Sequence, residues 1–191
     1  MRTNLVTRGE EWLSSLPIHL EIFKALGFKA PKYAHLPVIM KLDNGNRRKL
    51  SKRKDAEASV DYFIKQGYEP NALLVYLMTI ANSNYEDFIV QSKDYNLDHF
   101  KFSLKKMSLD GALFDIGKLN FYSKEILSKM SKEEISNKAF EWAQIYDPCF
   151  ASFIKMDYER FLAIMNIERE KKNPRKDYAK YSDIFPLIKF F

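Results

Sequence analysis

The stretch Arg47-Arg48-Lys49-Leu50-Ser51-Lys52-Arg53-Lys54 is the most informative part of this 191-residue sequence. Between Lys41 and Lys54 seven residues are basic and one, Asp43, is acidic. An apolar segment and an Asp-Asn-Gly-Asn turn precede the stretch, and a helical pattern follows it. A flexible loop with lysines on both sides of a serine can fold over a triphosphate and neutralise its charge. A solvated charge run or a nuclear-localisation-like patch is the alternative at this point.

Upstream of this loop, short apolar runs alternate with turns. Leu5-Val6-Thr7 predicts a short strand that ends at Arg8-Gly9. Pro17 is expected to open a helix, and Gly27 to close it. A second short buried strand is predicted from Leu36 to Met40, because this apolar run ends at a strong turn signal. These elements predict a small α/β portion.

Downstream of the loop, the sequence is predicted to be helical for most of its length. Helix boundary signals recur through this part of the chain: 57–66, a start at Pro70, 116–130 with Asp115 as N-cap, a capping box of Ser131 and Glu134, a start after Pro148, and about 157–172. Short loops between these segments favour a helical bundle. The fold class predicted for the chain is therefore mainly α with a small α/β portion.

Composition limits the function without deciding it. The formal charge of +6 favours a polyanionic partner such as RNA, but many proteins that bind no nucleic acid have a similar excess. No signal peptide or bilayer-length apolar run is present, and a single cysteine excludes an internal disulfide, so we predict a cytoplasmic protein. We interpret Cys149 as a buried, inert thiol. No metal site is predicted, because His19, His35 and His99 lack partners at ligand spacing.

Three motifs resemble one enzyme family. Lys49-Leu50-Ser51-Lys52-Arg53 resembles the K-M-S-K-S signature of class I aminoacyl-tRNA synthetases, in the K-[IL]-S-K-R form of glutamyl-tRNA synthetases. Arg8-Gly9-Glu10-Glu11-Trp12 resembles that family as well. Phe114-Asp115-Ile116-Gly117-Lys118-Leu119 resembles its F-D-x-x-K-L element, which belongs to the domain that contacts the tRNA acceptor arm. The motifs occur in the family's order, and the resemblance covers essentially the whole chain.

The resemblance implies a domain organisation and a reaction. Residues 1–54 would be the C-terminal part of the catalytic domain, 55–130 a helical stem-contact domain, and 131–191 the first part of a helical anticodon-binding domain. The enzyme would activate L-glutamate with ATP and Mg²⁺ and transfer it to tRNA(Glu), with no DNA or membrane partner. The first nucleotide signature, His-Ile-Gly-His or a variant, does not occur in this sequence. We therefore expect the chain to be a central fragment that cannot form glutamyl adenylate alone.

The resemblance also assigns site residues. Arg8 would bind the side-chain carboxylate of glutamate, for which a planar guanidinium is well suited, whereas a surface arginine is the alternative. Glu11 and Trp12 would line the substrate pocket, with core packing as the alternative for Trp12. Lys52 would stabilise the transition state of adenylate formation. The remaining assignments are catalytic roles for Lys49 and Ser51, ATP contacts from Leu36, Val38, Lys49 and Lys52, and tRNA contacts from Arg53, Lys118 and Arg175.

Other hypotheses remain open from the sequence alone. A stand-alone, non-catalytic tRNA-binding module would bind tRNA with a steep salt dependence and would have no affinity for ATP. A helical protein-interaction domain would leave the K-L-S-K-R loop without a purpose. The related enzyme that glutamylates a tRNA base lacks an anticodon-binding region, and glutaminyl enzymes fit the Arg-Gly-Glu-Glu-Trp motif less well. His35 lies in the family's His-x-Pro element and is expected to position a neighbour rather than transfer a proton.

Overall fold

The computed structural model describes residues 2–191. Residues 2–54, here called the N-terminal region, contain four short strands and one helix: β1 (Leu5–Gly9), α1 (Leu16–Ala25), β2 (Lys32–Leu36), β3 (Met40–Asp43) and β4 (Asn46–Lys49). β1 and β2, which are connected by α1, pair in parallel, whereas β3 and β4 form an antiparallel hairpin. The strand predicted at Leu5 and the helix predicted from Pro17 are confirmed.

The hairpin forms at the predicted turn, where Asn44 and Gly45 both have positive φ angles of 49° and 81°. Two consecutive left-handed residues match the right-handed twist of the flanking strands. The prediction of one strand from Leu36 to Met40 was wrong, because Leu36 ends β2 and Met40 begins β3. Pro37 lies between them, and a residue without an N–H group interrupts strand pairing.

Residues 55–191, here called the helical body, contain eight α-helices linked by short loops and 3₁₀ turns. They are α2 (Val60–Gln66), α3 (Pro70–Ala81), α4 (Asn84–Ser92), α5 (Ile116–Lys129), α6 (Lys132–Tyr146), α7 (Pro148–Met156), α8 (Tyr158–Met165) and α9 (Ile184–Ile188). The predicted caps of α5 and α6 are confirmed: Asp115 accepts hydrogen bonds from the first turn of α5, and Ser131 accepts one from Glu134.

Two predicted helices have different bounds. The helix expected to begin at Glu57 begins at Val60, because Ala56–Ala58 forms a separate 3₁₀ turn and Ser59 is extended. The helix expected to reach residue 172 ends at Met165. Glu168 then adopts a left-handed conformation with φ of 59°.

A tertiary contact of Arg169 with the end of α5 explains why α8 ends early. The Nη1 atom of Arg169 donates to the carbonyl oxygens of Leu127 and Met130, each at 2.8 Å, at the end of α5. Carbonyls at a helix C-terminus otherwise lack partners within the helix, so this contact stabilises both chain segments.

The interpretation of Cys149 as a buried thiol was wrong, because this residue is exposed at the start of α7. The neighbouring Phe150 takes the buried position instead, with no exposed surface. No helix in the described part of the chain combines the length and apolarity needed to cross a membrane.

One hydrophobic cluster runs through the helical body from Phe63 to Ile188. It includes Tyr76 on α3, Phe150 on α7 and Phe161 on α8, all completely buried. The cluster crosses residue 130, so the predicted domains on either side share a core, and the domain boundary there stays a prediction. No residue between 2 and 54 is fully buried.

Backbone contacts join the hairpin to the helical body. Met40 N–H donates to Ala112 O at 2.8 Å, and Phe114 N–H donates to Met40 O at 2.7 Å. At Gly111, an added Cβ atom would lie 2.7 Å from the backbone oxygen of Val38, which is too close for any side chain. The chain can therefore approach the hairpin closely only because residue 111 is glycine.

Candidate functional site

An open cleft of about 490 Å³ is lined by both the N-terminal region and the helical body. Its apolar wall includes Phe63, Leu73, Leu77 and Phe114. Six of the residues assigned from the sequence also line it: Arg8, Glu11, Leu36, Val38, Lys49 and Lys52. An apolar wall with a few converging charged groups is typical of a ligand site.

The other assigned residues do not line this cleft. Trp12 is 53% exposed, so core packing, the alternative considered for it, is wrong. The hydroxyl oxygen of Ser51 accepts a long hydrogen bond from Arg53 N–H at 3.4 Å, within the loop itself. Lys118 donates to Glu86 at 2.9 Å, and Arg175 forms an ion pair with Asp177. The tRNA contacts predicted for Arg53, Lys118 and Arg175 therefore stay predictions.

Arg8, on β1, contacts three side chains, two on β2 and one on α1. The parallel register of β1 and β2 places it opposite His35, and its Nε atom donates to His35 Nε2 at 3.0 Å. Its Nη1 atom lies 2.9 Å from Nδ1 of His19 on α1. The guanidinium carbon lies 5.1 Å from the ring centroid of Tyr33, within cation–π range.

The remaining nitrogen of Arg8, Nη2, is buried and has no hydrogen-bond partner among residues 2–191. A buried donor without a partner is unfavourable, so a carboxylate placed here would gain a strong hydrogen bond. Because a guanidinium only donates, the ring nitrogens of His19 and His35 that face it must act as acceptors. This arrangement agrees with the positioning role expected for His35.

Glu11 and Lys49 bridge the rim of the cleft. Lys49 Nζ donates to Glu11 Oε1 at 3.2 Å, and both side chains are about half exposed. The backbone N–H of Glu11 itself, and then the Lys49 ammonium, lower the pKa of the Glu11 carboxyl. The Glu11 carboxylate lies directly against Gly9, where an added Cβ would meet its oxygen. Exposed ion pairs contribute little stability, so an anionic ligand can displace Glu11 from Lys49.

Asp55 is the buried anchor of the basic loop, with 4% of its surface exposed. Its carboxylate accepts two hydrogen bonds from Arg48, at 2.6 and 2.8 Å, and one from Ser51 N–H at 2.9 Å. Lys41 Nζ lies 3.2 Å away. The bonds from Arg48, and then from Ser51, hold the pKa of the Asp55 carboxyl far below its usual range. The carboxylate is therefore ionised at neutral pH.

This network divides the basic stretch into two sets. Three of the seven basic residues bond to carboxylates: Arg48 to Asp43 and Asp55, Lys41 to Asp55 and Glu57, and Lys49 to Glu11. Within the described residues, four members of the stretch form no ion pair: Arg47, Lys52, Arg53 and Lys54. The latter set is available to an anionic ligand.

Sequence reasoning missed two groups of functional side chains. His19 was considered for function only as a metal ligand, although its place on the helix after the Arg8 motif could have suggested a contact with Arg8. The partners of Asp55 were also missed. The signal was an acid directly after a basic run, where a carboxylate has several cations within reach.

The described residues 2–191 contain no group of three His, Cys, Asp or Glu side chains placed to bind a metal ion. The charged side chains that line the cleft are those of Arg8, Glu11, Lys49, Lys52 and Glu57. This arrangement favours an anionic ligand held by cations.

The family of the chain is shown by comparison. A family model described as tRNA synthetases class I (E and Q), catalytic domain, matches residues 1–121. The chain therefore belongs to this family of class I synthetases, as its motifs predicted. Solved structures share its fold: a glutamate tRNA ligase from Elizabethkingia meningosepticum, in complex with its amino acid, has a TM-score of 0.69 at 23% identity. That alignment covers 98% of this chain and 37% of the other.

Curated relatives are more specific. The chain is 45% identical over 191 residues to the glutamate–tRNA ligase of Acetivibrio thermocellus, and 44% identical to that of Clostridium perfringens strain 13. The comparison covers 100% of this chain and 35% of each relative. The chain thus spans about a third of the length of the curated relatives it matches.

Proposed function

We propose that this chain is the central part of a glutamate–tRNA ligase, which activates L-glutamate with ATP and transfers it to tRNA(Glu). The main support for the proposal is the cleft, which is lined by an apolar wall and by the charged side chains of Arg8, Glu11, Lys49 and Lys52. The similarity to two bacterial glutamate–tRNA ligases over the whole of this chain supports the same conclusion. A cytoplasmic location follows from this activity and agrees with the lone cysteine.

ATP would lie between the Leu36–Val38 segment and the basic loop. Lys49 and Lys52 would neutralise charge that builds up on the phosphates when the glutamate α-carboxylate attacks the α-phosphate and pyrophosphate leaves. Mg²⁺ would arrive on the phosphates of ATP with water completing its coordination, since this ion is usually bound through substrate phosphates. Ser51 would contribute to the shape of the loop.

Arg8 would bind the side-chain carboxylate of glutamate through its Nη2 atom, with Glu11 and Trp12 nearby. Replacement of Arg8 by lysine removes the planar fork and its bonds to His19 and His35. We expect Arg8→Lys to raise the KM for glutamate by about tenfold to a hundredfold, and to leave the KM for ATP nearly unchanged. Arg47→Lys is the matched control because Arg47 is exposed and forms no ion pair within residues 2–191. An unchanged glutamate KM in Arg8→Lys would remove Arg8 from this role.

tRNA would contact the helical body, with residues 55–130 at the acceptor stem and 131–191 toward the anticodon. The proposed contacts are Lys118 and Arg175 in the helical body and Arg53 at the adjoining end of the N-terminal region. Binding of phosphates by lysine or arginine releases counterions, so each neutralising substitution should lower the salt slope of tRNA affinity by about one. We expect this for Lys118→Ala and not for Lys24→Ala on α1. Equal slopes in the two variants would contradict the assignment.

The direct test is tRNA charging by the cellular protein that contains this chain. We expect it to charge tRNA(Glu) with glutamate, and the 191-residue chain alone to show no ATP–pyrophosphate exchange. Exchange by the isolated chain would show that it holds a complete activation site. A cellular protein that binds tRNA with steep salt dependence but neither binds ATP nor charges tRNA would be a non-catalytic tRNA-binding module, and the ligase proposal would fail.

A further inference from the structure

The K-L-S-K-R loop is closed by backbone hydrogen bonds that converge on Ser51 and Asp55. Leu50 N–H donates to Ile39 O at 2.8 Å, which fixes the start of the loop. The N–H groups of Lys54 and Asp55 donate to Ser51 O at 3.0 and 2.8 Å. Ser51 N–H donates back to the Asp55 carboxylate at 2.9 Å. Ser51 and Asp55 therefore bond reciprocally across the turn that carries Lys52 and Arg53.

The side chain of Asp55 connects this turn to β3 and β4. Arg48 on β4 binds both carboxylate oxygens, and Lys41 on β3 approaches one of them. Because Asp55 is buried, its charge is tolerated only while these partners stay in place. Asp43 also accepts a hydrogen bond from Arg48, at 2.6 Å, but it is exposed and does not bond to the loop backbone.

We propose that Asp55 is a positioning residue for the loop, and that it holds Ser51 and Arg48 so that Lys49 and Lys52 face the cleft. Arg48 and Lys41 then act as structural counter-ions rather than phosphate ligands. The inference rests on the proposed function only for what the two lysines bind. The conformation of the loop follows from contacts within the chain.

A purely stabilising ion pair would behave differently from a positioning residue. If Asp55 served only global stability, its loss would increase hydrogen exchange throughout the chain and lower the melting temperature. If it positions the loop, its loss opens the 50–55 turn and leaves the core of α5, α6 and α7 protected. Amide hydrogen exchange resolved by residue distinguishes the two cases.

Asp55→Asn keeps the shape of the side chain and removes its charge. We expect exchange of the Ser51 amide to accelerate by about tenfold or more, because a charge-assisted hydrogen bond is lost, with core amides unchanged. In the cellular protein, we expect the kcat of ATP–pyrophosphate exchange to fall by about tenfold or more, with the glutamate KM unchanged. Asp43→Asn is the matched control, since it also removes a partner of Arg48, and it should leave both measurements as in the wild type.

Unchanged exchange at Ser51, or equal acceleration across the core, would overturn the proposal. So would an open loop in Asp55→Asn together with a wild-type kcat. Should Asp55→Asn fail to fold, Asp55→Glu keeps the charge but displaces it by one methylene, and we expect intermediate Ser51 protection; wild-type protection there would also overturn the proposal. Absence of any glutamate-dependent exchange in the wild-type cellular protein would refute the ligase function instead, while the Ser51 measurement would still decide the role of Asp55.

Discussion

Different interactions stabilise the N-terminal region and the helical body. In the helical body, Leu119, Ile135 and Phe150 on three successive helices are completely buried. In the N-terminal region nothing is fully buried, and Ile18 and Phe28 are 62% and 65% exposed. Strand pairing and ion pairs hold that region in place. Apart from Glu57, the charged residues of the cleft thus belong to the less densely packed region and face an apolar wall from the better packed one.

This difference bears on how the N-terminal region would pack in a longer protein. Parallel strands normally occur in sheets that are covered on both faces, and β1 and β2 are a parallel pair with exposed apolar neighbours. We therefore expect the exposed side chains of α1 and β1 to gain packing partners in the longer ligase proposed above. The helical body needs no such partners for its own core.

The largest effect should come from the core of the helical body. Phe150→Ala removes a fully buried ring that packs against Phe161 and Phe185, and should lower the free energy of unfolding by about 3–5 kcal/mol. Ile18→Ala, in the N-terminal region, should change it by less than about 0.5 kcal/mol. Urea unfolding followed by circular dichroism measures both. Equal losses for the two variants would contradict the comparison.

A smaller effect is expected at the junction of the two regions. Gly111→Ala places a methyl group against the backbone of Val38 and should destabilise the chain by about 1–3 kcal/mol. Gly45→Ala, at the hairpin tip, meets no atom within 4 Å but has φ of 81°, so it should cost only about 1 kcal/mol of backbone strain. Thermal unfolding of both variants measures the two losses of stability. If Gly111→Ala were the milder change, close packing at the junction would not contribute to stability.

The smallest effect at neutral pH is expected from protonation of Asp55, which anchors the basic loop. Because folding lowers the pKa of Asp55, its contribution is fully present above the unfolded value of about 3.9 and is lost as the pH falls through the folded value. Protection of the Ser51 amide, corrected for intrinsic exchange, should be equal at pH 7 and pH 5 and should decline only below about pH 4. Loss of protection between pH 7 and 5 would show that another group holds the loop.

Local signals predicted several helices of the body but not α4 or α9. Asp115 and Ser131 cap α5 and α6 as expected, because capping depends on residues within one turn. The end of α8 was not predictable in this way, since Arg169 leaves the helix to bond with carbonyls at the end of α5. The segment from Leu36 to Met40 was misassigned because its apolar residues favoured a single strand, while the missing N–H group of Pro37 was given too little weight.

The candidate site was predicted only in part. Motifs identified Arg8, Lys49 and Lys52, and the structure brings all three to one cleft. The contact of Arg8 with His19 depends on how α1 folds back beside β1, which no local pattern specifies. The role of Asp55 depends on two cations and one backbone N–H that converge on its carboxylate, and a charge count shows the cations without showing the convergence.

The central claim is that Lys52 acts on the phosphates of ATP in a glutamate-activating enzyme. The most direct measurement is glutamate-dependent ATP–pyrophosphate exchange by the cellular protein that contains this chain, compared with its Lys52→Ala variant. Lys54→Ala is the matched control, because Lys54 is also exposed but does not line the cleft. We expect a loss of about a hundredfold or more for Lys52→Ala and a change within a few fold for Lys54→Ala. Absence of exchange in the wild type, or equal rates for Lys52→Ala and wild type, would contradict it.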